Sequence, residues 1–354
     1  MSGRRRLLIV GFDRHPSLRL RVLEHVPRLQ QAGYHTEVVA LRQGRPQERI
    51  PELDAALGRS DIVLVQRVLE PKLTARFAAS GLPVVFDVDD ALHYVRPEAP
   101  GGRAQAARQL KRWYRTVTRG GPDVSSQARP LREILALAHT VVAGNDWLAR
   151  QYAPYAREVV MIPTTVPVRP DLIRPPRAEP PIRIGWVGLK DNFRSLRILE
   201  PAFEQIADRF AGDVRLSVVS SEPYVTNSIP TEFVPWTLDG ERASVAQFDI
   251  GVMPLESEPF AMGKCAFKAI LCMAHGVPVV ASPVGANRTV VDHARNGFLA
   301  DGTQAWVDAL TTLIASPETR RKLGSAALTT IGERFDIDAG FRRLLATLEK
   351  AEGA

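Results

Sequence analysis

Two lysines spaced four residues apart are the most chemically suggestive feature of the sequence. Lys264 and Lys268 follow Gly263, downstream of an apolar run typical of a buried strand. A helix that begins near Gly263 would place both ammonium groups on one face close to its N-terminus. Unpaired amides and the helix dipole favour an anion there, so the pattern predicts phosphate binding, with a solvated helix face as the plain alternative. A Walker A loop fits poorly, because Glu258 stands where its first glycine belongs.

A second basic group follows another strand pattern, which ends at Gly188. A glycine at a strand end lets backbone amides approach a ligand, and Lys190 or Arg194 could pair with phosphate oxygens. An ordinary turn between a strand and a helix is compatible with the same residues.

Three carboxylates cluster at the end of a strand pattern in the first half, at Asp87, Asp89 and Asp90. Carboxylate oxygens suit magnesium or manganese, so one interpretation is a divalent metal site. In a second interpretation, Asp89 or Asp90 orients a substrate hydroxyl or the nearby His93. In a third, the carboxylates cap the helix that follows. His93 itself is either a functional histidine or one that packs in the core or on the surface.

Two arginines, Arg19 and Arg21, follow the first strand pattern. Residues two apart diverge on a helix, so at most one of them is expected to face a site. Either could hold an anionic group of a substrate, and a plain surface role is equally compatible. The sequence contains no HExxH pair and no GxSxG elbow, which leaves zinc peptidases and serine hydrolases without support.

Strand-like and helical segments alternate along both halves of the chain. Such alternation predicts right-handed βαβ units and a parallel sheet in each half. Seven prolines between residues 163 and 181 indicate a semi-rigid spacer. We therefore predict an α/β protein with two doubly wound, Rossmann-like domains that face a central cleft. Ligands of such sheets bind beyond the carboxyl ends of the strands, where the charged groups named above are expected to lie.

The predicted boundaries are residues 1–165 for the first domain, 166–181 for the linker and 182–335 for the second domain. Residues 336–354 are predicted to form a helix that packs back on the first domain. The longest apolar stretches fall far short of the ~20 residues that span a bilayer. The two cysteines lie seven residues apart in one predicted helix, which excludes a disulfide framework and favours a cytoplasmic location.

Together these segments resemble the GT-B glycosyltransferases, in particular the retaining group known as glycosyltransferase family 4 or group 1. The resemblance covers most of the chain and rests on FDIGVMPL at 248–255, GKCAFK at 263–268, GVPVVASPVGAN at 276–287 and FDVDD at 86–90. It implies a nucleotide diphosphate sugar held mainly by the C-terminal domain and an acceptor held mainly by the N-terminal domain. It also argues against a metal, because GT-B enzymes generally neutralise the leaving diphosphate with basic side chains and helix dipoles.

One departure from the family pattern concerns two glutamates that many members carry eight positions apart. Leu271 and Gly263 stand at those positions, so Glu258 becomes the candidate ligand for a sugar hydroxyl. The expected donor-binding residues are Gly188, Lys190, Arg194, Glu258, Gly263, Lys264 and Lys268. The expected catalytic residues are Lys264, Arg194 and His93. The expected acceptor-binding residues are Arg19, Arg21, Asp89 and Asp90.

The activity that the resemblance implies is transfer of a hexosyl or related sugar to an acceptor hydroxyl with retention, without a metal or other cofactor. The donor nucleotide, UDP, GDP or TDP, stays open, as does a glycan, lipid-linked or small-molecule acceptor. Two alternatives remain: a catalytically silent relative that binds a sugar nucleotide or a partner enzyme, and a GT-B epimerase or phosphorylase.

The net charge of +7 arises from 46 basic and 39 acidic residues among 354, and it is distributed unevenly. Residues 1–180 contain 28 basic and 18 acidic residues, and residues 96–132 alone contain nine basic and two acidic ones. A basic helix with Trp113 and Tyr114 suits an anionic membrane surface, and a solvated helical insertion fits equally well. The first interpretation predicts peripheral contact with the inner face of the membrane. No recognised nucleic-acid module accompanies the basic residues, so a nucleic-acid partner is not expected.

Overall fold

Short β-branched runs form the strands of two parallel sheets in the computed structural model, which describes residues 5–13, 15–94 and 125–353. The chain divides into two units, each with its own sheet. The first unit comprises Met1–Thr164, Met262–Cys265 and Ile337–Ala354. The second comprises Thr165–Ala261 and Ala266–Asp336.

The sheet of the first unit has the strand order β2-β1-β3-β4-β5-β6, and neighbouring strands are parallel. These strands are β1 (Arg5–Phe12), β2 (Tyr34–Leu41), β3 (Ile62–Gln66), β4 (Val84–Val88), β5 (Thr140–Ala143) and β6 (Val159–Met161). The direction of strand addition reverses between β1 and β3. In doubly wound sheets the crevice beyond the carboxyl ends of the strands at such a reversal is where ligands bind.

Helices of the first unit pack on both faces of this sheet, because alternate strand residues point to opposite sides. Leu8 and Val10 belong to one hydrophobic cluster, and Leu7 and Ile9 belong to another. The α-helices that the structure describes in the first half of the chain are α1 (Pro16–Arg21), α2 (Val26–Gln31), α3 (Ile50–Leu57), α4 (Pro71–Ser80), α5 (Ala128–Leu137) and α6 (Asp146–Tyr152).

The sheet of the second unit has the strand order β12-β11-β10-β7-β8-β9, again with parallel neighbours. Its strands are β7 (Ile182–Val187), β8 (Val214–Ser220), β9 (Thr231–Pro235), β10 (Ile250–Met253), β11 (Val279–Ala281) and β12 (Gly297–Leu299). Here the reversal lies between β7 and β10. The prediction of an α/β chain with two doubly wound sheets is confirmed.

The helices that follow β7 in the chain are short near the strand ends and long in the C-terminal part. They are α7 (Phe193–Arg197), α8 (Glu200–Phe210), α9 (Glu241–Val245), α10 (Pro259–Met262), α11 (Phe267–Met273), α12 (Asn287–Val290), α13 (Gly302–Ala315) and α14 (Pro317–Arg334). Tertiary packing must stabilise the short ones, since isolated helices below ~12 residues are marginal in water.

The last helix, α15 (Ile337–Glu352), belongs to the first unit. Its residues Leu344 and Leu348 share a hydrophobic cluster with Leu7 of β1. Arg5 Nη1 donates to Glu352 Oε2 at 3.0 Å and adds a polar contact between the first strand and the last helix.

Candidate functional site

The acidic residues that follow β4 lie in a network of charged and polar side chains in the first unit. Ser17 Oγ donates to Asp89 Oδ2 at 2.5 Å, and Arg67 Nη1 donates to Asp90 Oδ2 at 2.6 Å. Arg67 Nη1 also lies 3.4 Å from Asp89 Oδ1. The side chains of Arg67, Asp89 and Asp90 are each at most 18% exposed. The guanidinium of Arg67 therefore neutralises part of the carboxylate charge at this strand end.

Lys264 joins the same network from the segment 262–265. Its Nζ donates to Asp90 Oδ1 at 3.3 Å. Burial alone would raise the pKa of Asp90, but the positive charges of Lys264 and Arg67 outweigh it and lower the pKa to about 2. Asp90 is therefore ionised at neutral pH, and Lys264 and Arg67 are both its ion-pair partners.

Asn145 holds the segment 262–265 against the first sheet. Its Nδ2 donates to the carbonyl oxygens of Met262 at 3.3 Å and Lys264 at 3.1 Å, while its Oδ1 caps α6. Gly263 permits the close approach, because a Cβ there would lie 2.5 Å from the backbone nitrogen of Ala91. In this structure Gly263 thus serves backbone packing, where the sequence predicted a phosphate contact.

The prediction that Lys264 and Lys268 share one helical face is wrong. Helix α11 begins at Phe267, and Ala266 before it has φ of 54°, a left-handed conformation that no continuous helix contains. Lys264 consequently lies in a non-helical segment of the first unit, whereas Lys268 lies in the first turn of α11 in the second unit. A spacing of four residues implies a common face only within one helix.

The predicted catalytic residue His93 lies in an aromatic cluster. Its ring stacks on Trp147 with centroids 6.0 Å apart and meets Tyr152 edge-on at 5.5 Å. His93 Nδ1 is buried and has no hydrogen-bond partner among the residues that the structure describes. Burial, together with the positive charge of Arg132, lowers the pKa of His93 to about 4. The imidazole is therefore neutral at pH 7 and serves as part of an apolar cluster.

Arg21, predicted to bind the acceptor, forms a buried ion pair. Its Nη2 lies 2.7 Å from Asp87 Oδ2, and the two side chains are 3% and 4% exposed. Nη1 donates to Thr164 Oγ1 at 3.2 Å, and Nη2 also donates to the Ile162 carbonyl at 3.0 Å. Burial would lower the pKa of Arg21, but the Asp87 carboxylate raises it above its ordinary value. The contacts of Arg21 are thus structural ones, and its acceptor role stays a prediction.

Arg19, the other arginine of α1, has its side chain next to Glu24. Its Nη1 lies 3.8 Å from Glu24 Oε1, and both side chains are partly exposed. Such a contact contributes little to stability. Arg19 and Arg21 diverge on α1 as expected for residues two apart.

A cavity of about 330 Å³ opens at the carboxyl ends of the first three strands of the first unit. Its lining includes Phe12 at the end of β1, His15 after it, Gln43 after β2 and Arg67 after β3. This position coincides with the reversal of strand order between β1 and β3, where doubly wound sheets bind ligands. The first unit therefore contains its own candidate ligand site.

In the second unit the structure brings Gly188 and Lys268 together. Lys268 Nζ lies 3.9 Å from the ring centroid of Trp186, within the range of a cation–π contact. A Cβ on Gly188 would lie 2.6 Å from the same Nζ. The ammonium group is thus held beside the backbone where β7 ends, at the second reversal of strand order.

The other predicted donor residues of the second unit contact acidic side chains. Arg194 Nη2 pairs with Glu256, and it lies 3.8 Å from Glu258 Oε2. Lys190 Nζ pairs with Glu222 Oε1 at 2.5 Å, but both side chains are more than half exposed, so this pair is weak. Arg194 and Glu258 therefore lie together beyond the ends of β7 and β10, while Lys190 points to a separate surface pair.

Sequence reasoning assigned no role to Arg67, Asn145 or His15. Each follows a strand of the first sheet by one to three residues. A polar residue immediately after an apolar run was the available signal, because the carboxyl ends of parallel strands meet at one edge.

A further cavity, of about 270 Å³, lies at the amino ends of the strands of the second unit. Arg174, His275 and the fully buried Arg320 line it. Arg320 donates to the carbonyls of Leu313 and Ile314 at the end of α13. Unpaired carbonyls at a helix C-terminus favour a cation, so Arg320 compensates that helix end, while Arg174 Nη1 donates to Gln247 Oε1 at 2.6 Å. These contacts give no reason to place a ligand there.

Within the described ranges, no group of three or more His, Cys, Asp or Glu side chains is arranged to hold a metal ion. No helix in the same ranges is long and apolar enough to cross a membrane. Most of the basic segment 96–132, namely residues 96–124, lies outside the described residues.

Comparison with known proteins connects the second half of the chain to a family. Residues 181–316 match the family model described as "Glycosyl transferases group 1", which confirms the predicted resemblance over that segment. The D-inositol 3-phosphate glycosyltransferase of Pseudarthrobacter chlorophenolicus is 38% identical over 103 residues, which are 28% of this chain and 23% of the relative. The match thus spans less than a quarter of the length of that curated relative.

Solved structures resemble the chain over nearly its whole length. Sucrose-phosphate synthase from Thermosynechococcus elongatus gives a TM-score of 0.70 at 15% identity, with 98% of this chain and 99% of that chain covered. The Anabaena protein HepE, solved in complex with UDP-glucose, gives 0.67 at 14% identity, with 98% and 99% covered. At these identities the likeness shows the fold, and the predicted GT-B fold is confirmed.

Proposed function

We propose that the protein is a glycosyltransferase that moves a sugar from a nucleotide diphosphate to an acceptor hydroxyl, with retention and without a divalent metal. The position of Lys268 carries this proposal. The residue lies beside Gly188 at the strand reversal of the second sheet, inside the segment that matches the family model. A cation there would stabilise the negative charge that grows on a departing diphosphate.

One route to retention is double displacement, which requires a carboxylate next to the anomeric carbon. We propose instead a same-face reaction, in which the leaving phosphate takes the proton of the acceptor hydroxyl. Arg194 and Lys268 of the second unit would bind the diphosphate, with Arg194 exchanging its contacts with Glu256 and Glu258 for phosphate oxygens. Glu258 would then be released to accept a hydrogen bond from a sugar hydroxyl.

A direct catalytic role for Lys264 is part of the proposal and would require a change of partner. Its ammonium group is paired with Asp90, so a phosphate would have to compete with that carboxylate. Asp89 and Asp90 are proposed to contribute to the acceptor site at the same strand end. Lys264→Ala with unchanged turnover and donor affinity would remove Lys264 from the proposed machinery.

The donor nucleotide and the acceptor are proposed on separate grounds. HepE was solved with UDP and with UDP-glucose, which makes UDP-sugars the first donors to test.

The cavity beyond β1 to β3 is the proposed acceptor site in the first unit. The basic segment 96–132 supports a cytoplasmic protein that contacts the inner face of the membrane, where a lipid-linked acceptor would lie. Binding to anionic vesicles that weakens with salt, and no binding to neutral vesicles, would support the membrane contact.

The central experiment is incubation with UDP-, GDP- and TDP-sugars and a panel of glycan, lipid-linked and small acceptors. Mass spectrometry identifies the transferred mass, and NMR gives the anomeric configuration. Lys268→Ala should lower kcat/KM by a factor of about 100 or more, as when one transition-state charge contact is lost. Lys322→Ala removes an exposed lysine from α14 of the same unit and serves as the matched control.

Different results overturn different parts of the proposal. Turnover of Lys268→Ala equal to that of Lys322→Ala would refute the donor-site assignment. A product with inverted configuration at the anomeric carbon would refute retention but leave the rest of the proposal in place. Loss of turnover on chelation, restored by magnesium or manganese, would exclude metal independence.

A catalytically silent relative is the second candidate, and one observation favours it. Leu271, at one of the two glutamate positions of the family, is 1% exposed, and Gly263, at the other, packs on Ala91. Neither position can supply the sugar contacts of the missing glutamates. UDP binding by calorimetry without turnover on any acceptor would select this candidate. Donor conversion without an acceptor would select an epimerase, and release of sugar phosphate would select a phosphorylase.

A further inference from the structure

His15 is a histidine in the wall of the 330 Å³ cavity at the carboxyl ends of β1 to β3. It is the N-cap residue of α1, with extended backbone angles of φ −76° and ψ 126°. Its Nδ1 accepts a hydrogen bond from the backbone nitrogen of Ser17 at 3.2 Å. Arg67, which is paired with Asp89 and Asp90, lines the same cavity.

The capping hydrogen bond decides which ring nitrogen carries the proton. A backbone N–H donates only to an unprotonated ring nitrogen, so Nδ1 holds the lone pair and Nε2 holds the proton of the neutral ring. Burial and the positive charge of Arg67 lower the pKa of His15, although Asp89 and Asp90 oppose the shift. The ring is therefore neutral at pH 7, and it offers one N–H donor at Nε2.

The chemistry of this donor excludes one role and favours another. While Nδ1 caps α1, Nε2 has no lone pair and cannot accept a proton, so His15 is not a general base. No described residue accepts a hydrogen bond from Nε2, which leaves this donor for a ligand in the cavity. The cavity lining contains two charged residues besides His15: Arg67, which is already paired with two carboxylates, and the acidic Glu70, which disfavours an anion. The position therefore suits an uncharged oxygen, such as a hydroxyl of a carbohydrate or other polyol.

We infer that His15 binds the acceptor by donating a hydrogen bond from Nε2–H to one of its hydroxyl oxygens. This inference rests on the proposed function, since it names the substrate class of the acceptor site. His15 contributes binding and orientation, and the proton of the reacting hydroxyl goes elsewhere.

Two substitutions separate the donor at Nε2 from the cap at Nδ1. His15→Asn keeps a side-chain oxygen that can accept from the Ser17 nitrogen, because asparagine is among the best N-cap residues, but it removes the outer N–H. His15→Gln carries an amide N–H farther from the backbone and loses the favoured cap. His35→Asn, at an exposed position of β2, is the matched control.

The expected pattern distinguishes a binding role from a structural one. His15→Asn should raise the acceptor KM about three- to tenfold, the loss expected for one hydrogen bond, with kcat and UDP affinity unchanged. His15→Gln should show a smaller rise in KM together with a lower melting temperature. An acceptor KM of His15→Asn equal to that of His35→Asn would overturn the inference.

A second measurement is independent of turnover. Two-bond ¹H–¹⁵N correlation spectra of histidine-labelled protein, assigned with His15→Asn, should show the Nε2–H tautomer for His15. Titration with glucose, myo-inositol and glycerol as probes should shift the Nε2 signal, and the Nδ1–H tautomer or an unmoved signal would overturn the inference. A wild-type protein that transfers no sugar but shows the Nε2 shift would refute the proposed function and leave polyol binding by His15 in place.

Discussion

Removing either partner of the Arg21–Asp87 pair should destabilise the first unit by about 3–5 kcal/mol, the cost of a buried charge left without its counter-ion. The magnitude follows from near-complete burial, with side chains 3% and 4% exposed and Nε and Nη2 lying 2.8 and 2.7 Å from the carboxylate oxygens. Arg21→Met would also leave Thr164 Oγ1 and the Ile162 carbonyl without their guanidinium donor. The single substitution therefore combines a lost ion pair with two lost hydrogen bonds.

The double variant Arg21→Met/Asp87→Leu should be more stable than the sum of the single effects predicts. Removing both charges eliminates the buried unpaired ion, so the coupling free energy should amount to about 2 kcal/mol or more. A residual loss of about 1–3 kcal/mol is expected from each buried acceptor that remains unpaired.

Urea unfolding measures these effects, and amide hydrogen exchange of β4 and β5 localises them to the first unit. The second method is needed because a chain with two units need not unfold in one transition. A loss below about 1 kcal/mol for Arg21→Met, or an additive double variant, would refute the reasoning. In the folded fraction the acceptor KM should stay at the wild-type value, since Arg21 is buried and does not line the proposed acceptor cavity.

Three further perturbations address the charged network, the segment 262–265 and the end of β7. Asp90, whose pKa falls from 3.8 to about 2 on folding, should stabilise the first unit by about 2 kcal/mol above pH 4. This contribution should disappear as the pH falls towards 2, and urea unfolding of Asp90→Asn should lack that part of the acid dependence. Asn145→Asp keeps an oxygen for the α6 cap but replaces the amide donor, so hydrogen exchange at residues 263–266 should accelerate about tenfold while α6 stays protected. If residues 263–266 and α6 both stayed protected from exchange, or both lost protection, this prediction would be contradicted. Gly188→Ala must displace Lys268, because the new Cβ would lie 2.6 Å from Nζ. UDP affinity by calorimetry should fall about tenfold, and an unchanged affinity would remove Lys268 from the donor site.

Most of the fold follows from local sequence patterns, because buried parallel strands are continuous apolar runs. The five residues of β3 are all buried and form such a run. Strand β9 has no such signal, since Thr231–Pro235 is an edge strand with partly exposed residues and no apolar run. Strand β12 has none either, because its three residues are too few to show a period.

The candidate site was only partly predictable, because some of its contacts depend on residues far apart in the chain. The sequence correctly predicted the ends of β4 and β7 as places where polar residues and glycine follow a strand. The position of Lys264 depends on the left-handed Ala266 and on a hydrogen bond from Asn145, which lies 119 residues away in sequence. The four-residue spacing of Lys264 and Lys268 predicts neither the backbone conformation of Ala266 nor the hydrogen bond from Asn145.

The charge balance of the first unit bears on what its cavity can recognise. The network after β4 pairs two carboxylates with two cations, and the buried Arg21–Asp87 pair is neutral as well. The surplus of basic residues in the first half of the chain is therefore not located in these two networks. Recognition of an anionic surface would then depend on other basic residues, such as those of the segment 96–132, whereas the strand ends would contact uncharged parts of the same acceptor. Of the acceptors proposed above, a lipid-linked glycan would combine a neutral reacting sugar with a distant anionic group, so it is the acceptor to test first.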